Sequence, residues 1–490
     1  MGARSQAFNR FITANFGGSL GEQVSRVYLP GGLLKTTGLA PGTALTLKLG
    51  SLNSPVTVEQ VHCSGGTEQP IFFISPDLFE RCQLPIGHPL TLKYNPAAGI
   101  VSAGPLIGLF TVRNVLVDSE FGSQEPTLAA LTNSGAGLSG LVIVFCPEDL
   151  DWDAMTVTGY IPAYEDTGDF TWKPLRLPIP DVIYDRIPSR SVELRQAVQE
   201  AKSRFTVMDT VSYFNPMFLN KWETHTALVN IPEVAGYLPP TWLVESPEDI
   251  LTCLHTYGSV FLKPSLGSLG CRIIKVALDQ NGMFKFMYRS KERQTVQGAV
   301  SNFPALNDLL RPVMGKRLYV VQKDLQLAAY EGCPFDIRIL AQKDRYGNWR
   351  RTKIYARIAA PDSFLSNLSD GGHPKPLSTV LAEVFNVNFQ ARTGLGEEIR
   401  TAVSRIPPAL EKGTGMIWGE LGIDLGIDLS GKIWLIEINS KPFRALVTES
   451  GAFKVIERSL MRPLEYAKYL AGFYRHAPAV APRQPVPVTE

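Results

Sequence analysis

Apolar and polar residues alternate through GELGIDLGIDLSGKIWLIEINS (Gly419 to Ser440), which predicts two strands folded into a hairpin about the turn Asp428-Leu429-Ser430-Gly431. Alternation puts Glu437 and Asn439 on one side of the second strand. With Asp428 paired to Gly431, Asp424 falls opposite Leu435, on the face of Glu437 and one diagonal step away, about 7 Å at the backbone. Asp428 has the same parity but lies roughly 20 Å from the partner of Glu437, at about 3.3 Å per residue, so it is assigned to the turn. Asp424, Glu437 and Asn439 thus present three oxygen-bearing side chains on one face, with no His or Cys nearby. That donor set suits Mg²⁺, or Mn²⁺ as the other hard ion, and such ions commonly share their shell with phosphates. A polar hairpin edge is the alternative.

The same kind of pattern divides the rest of the chain. YLPGGLLKTTGLAPGTALTLK (Tyr28 to Lys48) and FISPDLFERCQLPIGHPLTLK (Phe73 to Lys93) match at a constant offset of 45, Leu33 with Leu78, Leu39 with Leu84 and Gly42 with Gly87. Each copy reads strand, short helix, glycine turn, strand. Two copies predict a small pseudo-twofold β-barrel over residues 1–100, double-psi in outline, with two similar hairpins in one irregular domain as the alternative. From Gly104 the pattern becomes α/β: a strand in PLIGLFTV, a helix near Pro126 to Leu131, and strands in LVIVF (Leu141 to Phe145) and DVIYDR. This predicts a Rossmann-like domain over residues 101–215. GAGLSG (Gly135 to Gly140) has the G-x-G-x-x-G spacing but follows a helix and precedes a strand, the reverse of a dinucleotide fingerprint, and reads as a helix exit. The Pro- and Ala-rich tail over residues 476–490 reads as disordered.

Composition narrows the function classes. The 490 residues carry 48 basic and 46 acidic side chains, a net charge of +2, and no dense Lys/Arg run interleaved with aromatics, so nucleic acid is not expected as a partner. A hydrophobic content of 44% supplies cores for more than one domain. Cys63, Cys82, Cys146, Cys253, Cys271 and Cys333 are scattered with no C-x-x-C pair, which predicts reduced thiols and no zinc site. The N-terminus lacks an apolar signal core and no apolar run approaches the ~18 residues that span a bilayer, so a cytoplasmic protein with no membrane partner is expected.

Lys263 sits in SVFLKP, a strand that reads as buried, where an ammonium needs an anionic partner: a phosphate, or a core carboxylate. Directly after it, Ser265-Leu266-Gly267-Ser268-Leu269-Gly270 offers glycine backbone for close approach to phosphate oxygens and serine hydroxyls to donate to them. It is not a Walker A motif, since no Gly-Lys-Ser/Thr follows. Asp336 and Arg338 alternate onto one face of their strand, and Arg338 and Arg357 suit the charge of a transferring phosphoryl group or an acyl phosphate, or else a salt-bridged surface strand. No Ser/His or Cys/His constellation for covalent catalysis is evident.

Five segments in order along the chain resemble the signature of the ATP-grasp superfamily, the fold of glutathione synthetase, D-alanine:D-alanine ligase and the RimK-like ligases. They are FLKPSLGSLGCRI (Phe261 to Ile273), VVQKDLQL (Val320 to Leu327), PFDIRIL (Pro334 to Leu340), ARIAAPDSFLSNLSDGG (Ala356 to Gly372) and Asp424…Glu437-Ile438-Asn439…Pro442. With NKWETHTAL (Asn220 to Leu228), PDVIYDRIP (Pro180 to Pro188) and WLIEINSKP (Trp434 to Pro442), the chain most closely resembles the YheC/YheD endospore coat-associated group, over about residues 100 to 470. The resemblance implies an α/β (α+β) protein with an ATP-grasp core at residues 216–475, preceded by the Rossmann-like domain and the barrel. It implies ATP and Mg²⁺ as cofactors, Lys221 and Lys263 on the phosphates, and Ser265, Gly267, Ser268 and Gly270 closing over them. Gln322, Lys323, Asp324 and Leu325 would form the hinge that holds adenine, mainly through backbone groups. Arg338 and Arg357 would act in catalysis, and Asn367 with Gly371-Gly372 would cover the acceptor pocket. The implied reaction joins a small-molecule or peptide carboxylate to an amine or similar nucleophile through an acyl phosphate, releasing ADP and phosphate. The alternatives are a phosphotransferase with a hydroxyl acceptor and a spore-coat-associated scaffold with a vestigial nucleotide site. The barrel is expected to dock substrate or a protein partner. Two positions depart from the pattern. D-alanine:D-alanine ligases carry Arg where this chain has Gly422; RimK-like enzymes lack it too, and Arg357 is the candidate substitute. RimK-like segments have Arg where this chain has Leu365, so their substrate specificity does not carry over.

Overall fold

The structure, a computed structural model, describes residues 10–22, 24–62, 69–114, 119–166, 168–267, 272–290, 294–360, 371–385, 389–443 and 453–474. Ser268, Gly270, Leu365, Asn367 and the tail 476–490 lie outside the described residues.

The first seven strands close a barrel: β1 (Arg10–Ser19), β2 (Arg26–Pro30), β3 (Ala44–Leu49), β4 (Leu52–Val61), β5 (Ile71–Ile74), β6 (Pro89–Asn95) and β7 (Ile100–Gly104), in the order β1-β5-β2-β4-β3-β7-β6. The pairing shows the repeat to be larger than its sequence match. Strands β2 and β5 are antiparallel neighbours; β4 runs parallel to β2 and antiparallel to β3, as β1 does to β5 and β6. Each unit is therefore strand, strand, helix, strand, and β7 bridges β3 and β6. The matched glycines have a conformational reason: Gly42 and Gly87 both turn at left-handed φ, +81° and +79°.

The second sheet continues the chain without a break in the core. It contains β8 (Leu106–Phe110), β9 (Leu141–Phe145), β10 (Leu150–Asp151), β11 (Thr156–Tyr164), β12 (Phe170–Pro178), β13 (Val182–Asp185) and β14 (Ser212–Phe214). Strands β9, β8, β13 and β14 are parallel, as the Rossmann-like reading expects, whereas β11 is antiparallel and forms a long hairpin with β12 that the sequence reading did not anticipate. GAGLSG is a helix exit: the helix Glu125–Ala136 leads through it into β9. A Cβ on Gly135 would stand 2.3 Å from Val142, so glycine there permits close helix-to-strand packing.

One apolar cluster runs from the barrel interior (Phe16, Leu47, Val58, Phe72) to one face of this sheet (Phe110, Ile143, Phe145) and the helix residue Phe205. The barrel expected to end at residue 100 thus shares its core with the parallel sheet, and its last strand reaches Gly104. The opposite face is covered by the helix Glu125–Ala136 and, from the far end of the chain, by Phe453–Leu470, whose Leu460, Leu464 and Tyr466 pack with Ile107, Leu109 and Val144. That C-terminal helix was expected within the 216–475 unit. It touches both: its apolar side covers the parallel sheet, while Ser459, Tyr466 and Arg462 bond to Gln342, Lys343 and Thr352 of the last sheet.

Two further sheets complete the architecture. One orders β15 (Thr241–Leu243), β20 (Tyr319–Lys323), β16 (Ser259–Pro264), β17 (Ile274–Leu278), β18 (Phe284–Arg289) and β19 (Thr295–Val300). The other orders β24 (His373–Lys375), β23 (Trp349–Ile358), β22 (Cys333–Lys343), β25 (Glu420–Ile427) and β26 (Ile433–Asn439), with β21 (Ala329–Tyr330) paired to β22. Each has its own core, Val260, Leu262 and Ile274 in the first, Ile337, Ile423 and Leu425 in the second. The second of them is joined to the parallel sheet by a buried polar network: Glu420 has no solvent exposure and accepts from Tyr184, Arg186 (3.1 Å) and Gln342 (2.9 Å). Asn215, also buried, accepts from the Gly419 N–H at 2.8 Å and donates to the Glu420 carbonyl at 2.8 Å.

Candidate functional site

The last two sheets face each other across a cleft. Its apolar wall includes Leu219, Leu238, Val320, Leu435 and Ile436, and its polar end Lys221, Lys263, Gln322 and Glu437. Asn220 caps the helix Lys221–Val229, its side chain accepting the Glu223 N–H at 2.7 Å, and this helix delivers Lys221 to the cleft.

The hairpin's register differs from the expected one by two local events. Asp428 bonds to both Gly431 and Lys432: its carbonyl accepts the Gly431 N–H at 2.9 Å, as expected, while its own N–H donates to the Lys432 carbonyl at 3.0 Å and Gly431 turns at φ +85°. The Asp428 carboxylate accepts from the N–H groups of Ser430 and Lys432 and from Trp434 Nε1, which confirms it as a turn residue. A β-bulge then falls between the pairs Asp424–Glu437 and Leu425–Leu435, where the Leu435 N–H turns to the Tyr237 carbonyl at 2.7 Å. The extra residue, Ile436, brings Glu437 directly opposite Asp424 and Asn439 opposite Gly422. The expected diagonal separation is thereby shortened to a direct cross-strand pair, about 5 Å between Cβ atoms.

The same register continues across the sheet: Tyr355 pairs with Arg338, Arg338 with Asp424 and Asp424 with Glu437. Arg338 Nε lies 2.5 Å from Asp424 Oδ1, and Arg357 Nη2 lies 2.9 Å from Asp424 Oδ2. Arg357 also grips Asp336 with two bonds of 2.6 and 2.7 Å. Burial lowers the basicity of Arg357, but Asp424 and Asp336 outweigh it and hold the guanidinium firmly charged.

Lys221 Nζ lies 3.1 Å from Glu437 Oε1. Burial pushes the Glu437 carboxyl up, and Lys221, Lys263 and Arg338 outweigh that push, so it stays ionised below the usual range. Lys263 Nζ donates to the neutral amide of Gln322 at 2.6 Å, and no carboxylate lies within ion-pair distance of it among the described residues. Burial, with Lys221 adding to it, draws the Lys263 pKa down to about 8 against the pull of Glu437 and Asp324.

The structure separates the hinge and the loop more finely than the sequence did. Gln322 lines the cleft and is fixed between Lys263 and Thr241, but Lys323 and Asp324 have their N–H groups committed to the carbonyls of Pro240 and Ser259. The Asp324 carboxylate pairs with Lys275 at 2.7 Å. Those two backbone donors are therefore not available to a base, and neither Asp324 nor Leu325 lines the cleft. Ser265 is buried and its hydroxyl donates to Asn220 Oδ1 at 3.3 Å, beside the helix cap. Gly267 lies beside Lys221, its carbonyl accepting from Lys221 Nζ at 3.4 Å.

The donor set fits a hard divalent cation. Its oxygens come from Asp424, Glu437 and Asn439; among the described residues no group of three or more His, Cys, Asp or Glu gathers as a metal site. Asp424 Oδ1 is buried and, beyond its ion-pair contact with Arg338, has no hydrogen-bond partner. Sequence reasoning missed Thr241 and His225, which line the cleft; His225 lies within NKWETHTAL, where only Lys221 was singled out.

Two antiparallel sheets closing on a cleft with lysines on one side and carboxylates on the other define a protein of the ATP-grasp class. A family model described as YheC/D-like ATP-grasp matches residues 210–470, more than half of the chain, so the chain belongs to the YheC/D-like ATP-grasp family. Relatives include the endospore coat-associated protein YheD of Bacillus subtilis (strain 168), 29% identical over 392 residues, 78% of this chain and 84% of that protein. YheC of the same organism is 25% identical over 332 residues, 67% of this chain and 87% of that protein. Similar solved structures include D-alanyl-alanine synthetase A from Vibrio cholerae (TM-score 0.38, 12% identity, 75% of this chain and 98% of that one). D-cycloserine synthetase DcsG is another (TM-score 0.41, 14% identity, 74% and 99%). Among the described residues no helix is long and apolar enough to cross a membrane.

Proposed function

We propose that the protein is an ATP-dependent ligase that activates a carboxylate as an acyl phosphate and passes the acyl group to an amine or similar nucleophile, releasing ADP and phosphate. The observation that carries this reading is Lys263: an ammonium at the cleft, bonded to a neutral amide, beside Lys221 and with no carboxylate in contact among the described residues. Such a charge is costly without an anion, and a nucleotide phosphate supplies one. Lys221 and Lys263 would orient the phosphates, and the apolar wall would take the base. Asp424, Glu437 and Asn439 would hold Mg²⁺, which neutralises phosphate oxygens when bound. Arg338 and Arg357, fixed by Asp424 and Asp336, would face the charge that develops on the transferred group. Because the arginines are preorganised by their carboxylates, they need little rearrangement at the moment of reaction. The test is phosphate release from ATP with pools of carboxylates and amines. Release only when both are present supports ligation, release with a hydroxyl compound alone supports a phosphotransferase, and none with any pool supports a scaffold.

A further inference from the structure

A cation from outside the matched family domain shares a backbone carbonyl with Lys221, which lines this cleft. Strand β13 ends at Asp185, and Arg190–Glu193 forms one helical turn whose Ser189 hydroxyl accepts the Val192 N–H. The turn is anchored from both sides. Glu193 accepts from Lys202 (2.6 Å), Lys441 (3.2 Å) and the Phe218 N–H (3.1 Å), and Asp185, with no solvent exposure, accepts from Lys441 at 2.6 Å. Lys441 stands two residues after Asn439, so these bonds also fix the end of β26.

Arg190 projects from this anchored turn over the ring of Phe218. Its Nη2 donates to the Leu219 carbonyl at 2.6 Å and its Nη1 to the Gly267 carbonyl at 3.3 Å, the same oxygen that Lys221 approaches. Its Nε is buried without a hydrogen-bond partner, and no carboxylate contacts the guanidinium among the described residues. Burial draws its pKa below the ordinary arginine range, against the more distant pull of Glu437 and Glu193. A charge held in this way is poised for an anion arriving at Gly267.

We propose that Arg190 is a positioning residue for the phosphate end of the nucleotide, fixing the Gly267 peptide and adding a third positive charge to those of Lys221 and Lys263. The inference rests on the nucleotide reading given above. It makes the segment before residue 210 part of the site, with the turn that carries Arg190 anchored through Glu193 to Lys441, just beyond β26.

The test uses the full-length chain and its variants Arg190→Ala, Arg190→Lys and Arg190→Gln, with titration calorimetry of ATP and AMP in Mg²⁺ buffer and a melting curve for each. Arg190→Ala and Arg190→Gln should weaken ATP by about tenfold or more, the worth of a charge-assisted bond, and leave AMP within about twofold. Arg190→Lys should recover part of the loss, and added guanidinium ion at millimolar concentration should restore ATP affinity to Arg190→Ala. Unchanged ATP affinity in Arg190→Ala, or equal weakening of ATP and AMP, would overturn the role. A wild-type protein that binds neither nucleotide would instead overturn the nucleotide reading, and the role with it.

Discussion

The depressed pKa of Lys263 makes nucleotide binding depend on pH in a direction that can be worked out. In the free protein this lysine titrates at about 8, drawn down by burial and by Lys221. A bound phosphate favours the protonated form and returns the pKa toward the ordinary value of about 10.4. Affinity is then full below pH 8 and falls as pH rises through 8, until the bound-state pKa is reached. A group of pKa about 8 is about 90% protonated at pH 7 and about 10% at pH 9, so MgATP should bind about tenfold more weakly at pH 9, ~1.4 kcal/mol. A phosphate monoester has its second pKa near 6, so the ligand adds little change in this range. Titration calorimetry at pH 7, 8 and 9 reads the slope, and paired buffers of different ionisation enthalpy at pH 8 should report uptake of about half a proton. Lys263→Arg keeps its charge throughout and should flatten the profile. An affinity that does not change between pH 7 and 9, or an equal slope in Lys263→Arg, would refute the assignment of a phosphate to Lys263.

Glu437→Gln should lower turnover by about 100-fold or more with little change in melting temperature, because Glu437 is partly open to solvent. Asp424→Asn should cost turnover and also about 3 kcal/mol of stability, since Asp424 is buried between two guanidiniums, whereas Asp428→Asn should cost about 1 kcal/mol of turn stability and spare turnover; equal turnover losses at 424 and 428 would contradict the register. Glu420→Gln leaves Arg186 buried against a neutral amide and should destabilise by about 3 kcal/mol in denaturant unfolding, with wild-type stability refuting the network's importance. Deleting residues 1–104 should give an aggregating chain on size exclusion, because Phe110, Ile143 and Phe145 share the barrel's core; a monodisperse fragment that binds ATP would show the barrel to be separable.

The parts legible in the sequence were those with a local signal. The offset of 45 gave the barrel because matched residues keep matched conformations, as Gly42 and Gly87 do, but β1 and β4 carry no such likeness and their equivalence emerged only from pairing. Alternation gave the face shared by Asp424 and Glu437. It could not give the bulge at Ile436, which is set by a tertiary bond from Leu435 to the Tyr237 carbonyl, nor a pairing of Asp428 that its own side chain dictates. The bond from Ser265 to the cap residue Asn220 was hidden for a related reason, since a serine beside a glycine loop carries no local signal of which partner it takes. Arg190 was invisible because the bonds that place it reach Leu219, Gly267 and, through Glu193, Lys441, all distant in sequence.

Gly422 shows how the sheet supplies a charge that its own strand lacks. A Cβ there would stand 3.2 Å from Pro442 Cβ, 3.5 Å from Asn439 Cβ and 3.7 Å from Arg338 Nη1, so the space for a long side chain is already taken. The positive charge beside Asp424 comes instead from neighbouring strands, Arg338 on β22 and Arg357 on β23, both in contact with it. Arg357 alone had been the expected substitute. The two guanidiniums are balanced by Asp424 and Asp336, the latter holding Arg357 in place through two bonds. The arrangement keeps the strand bearing Asn439 and Pro442 packed closely on β25. It also leaves Asp424 needing a partner for Oδ1 beyond its contact with Arg338, which is where a divalent ion would compete with the guanidinium.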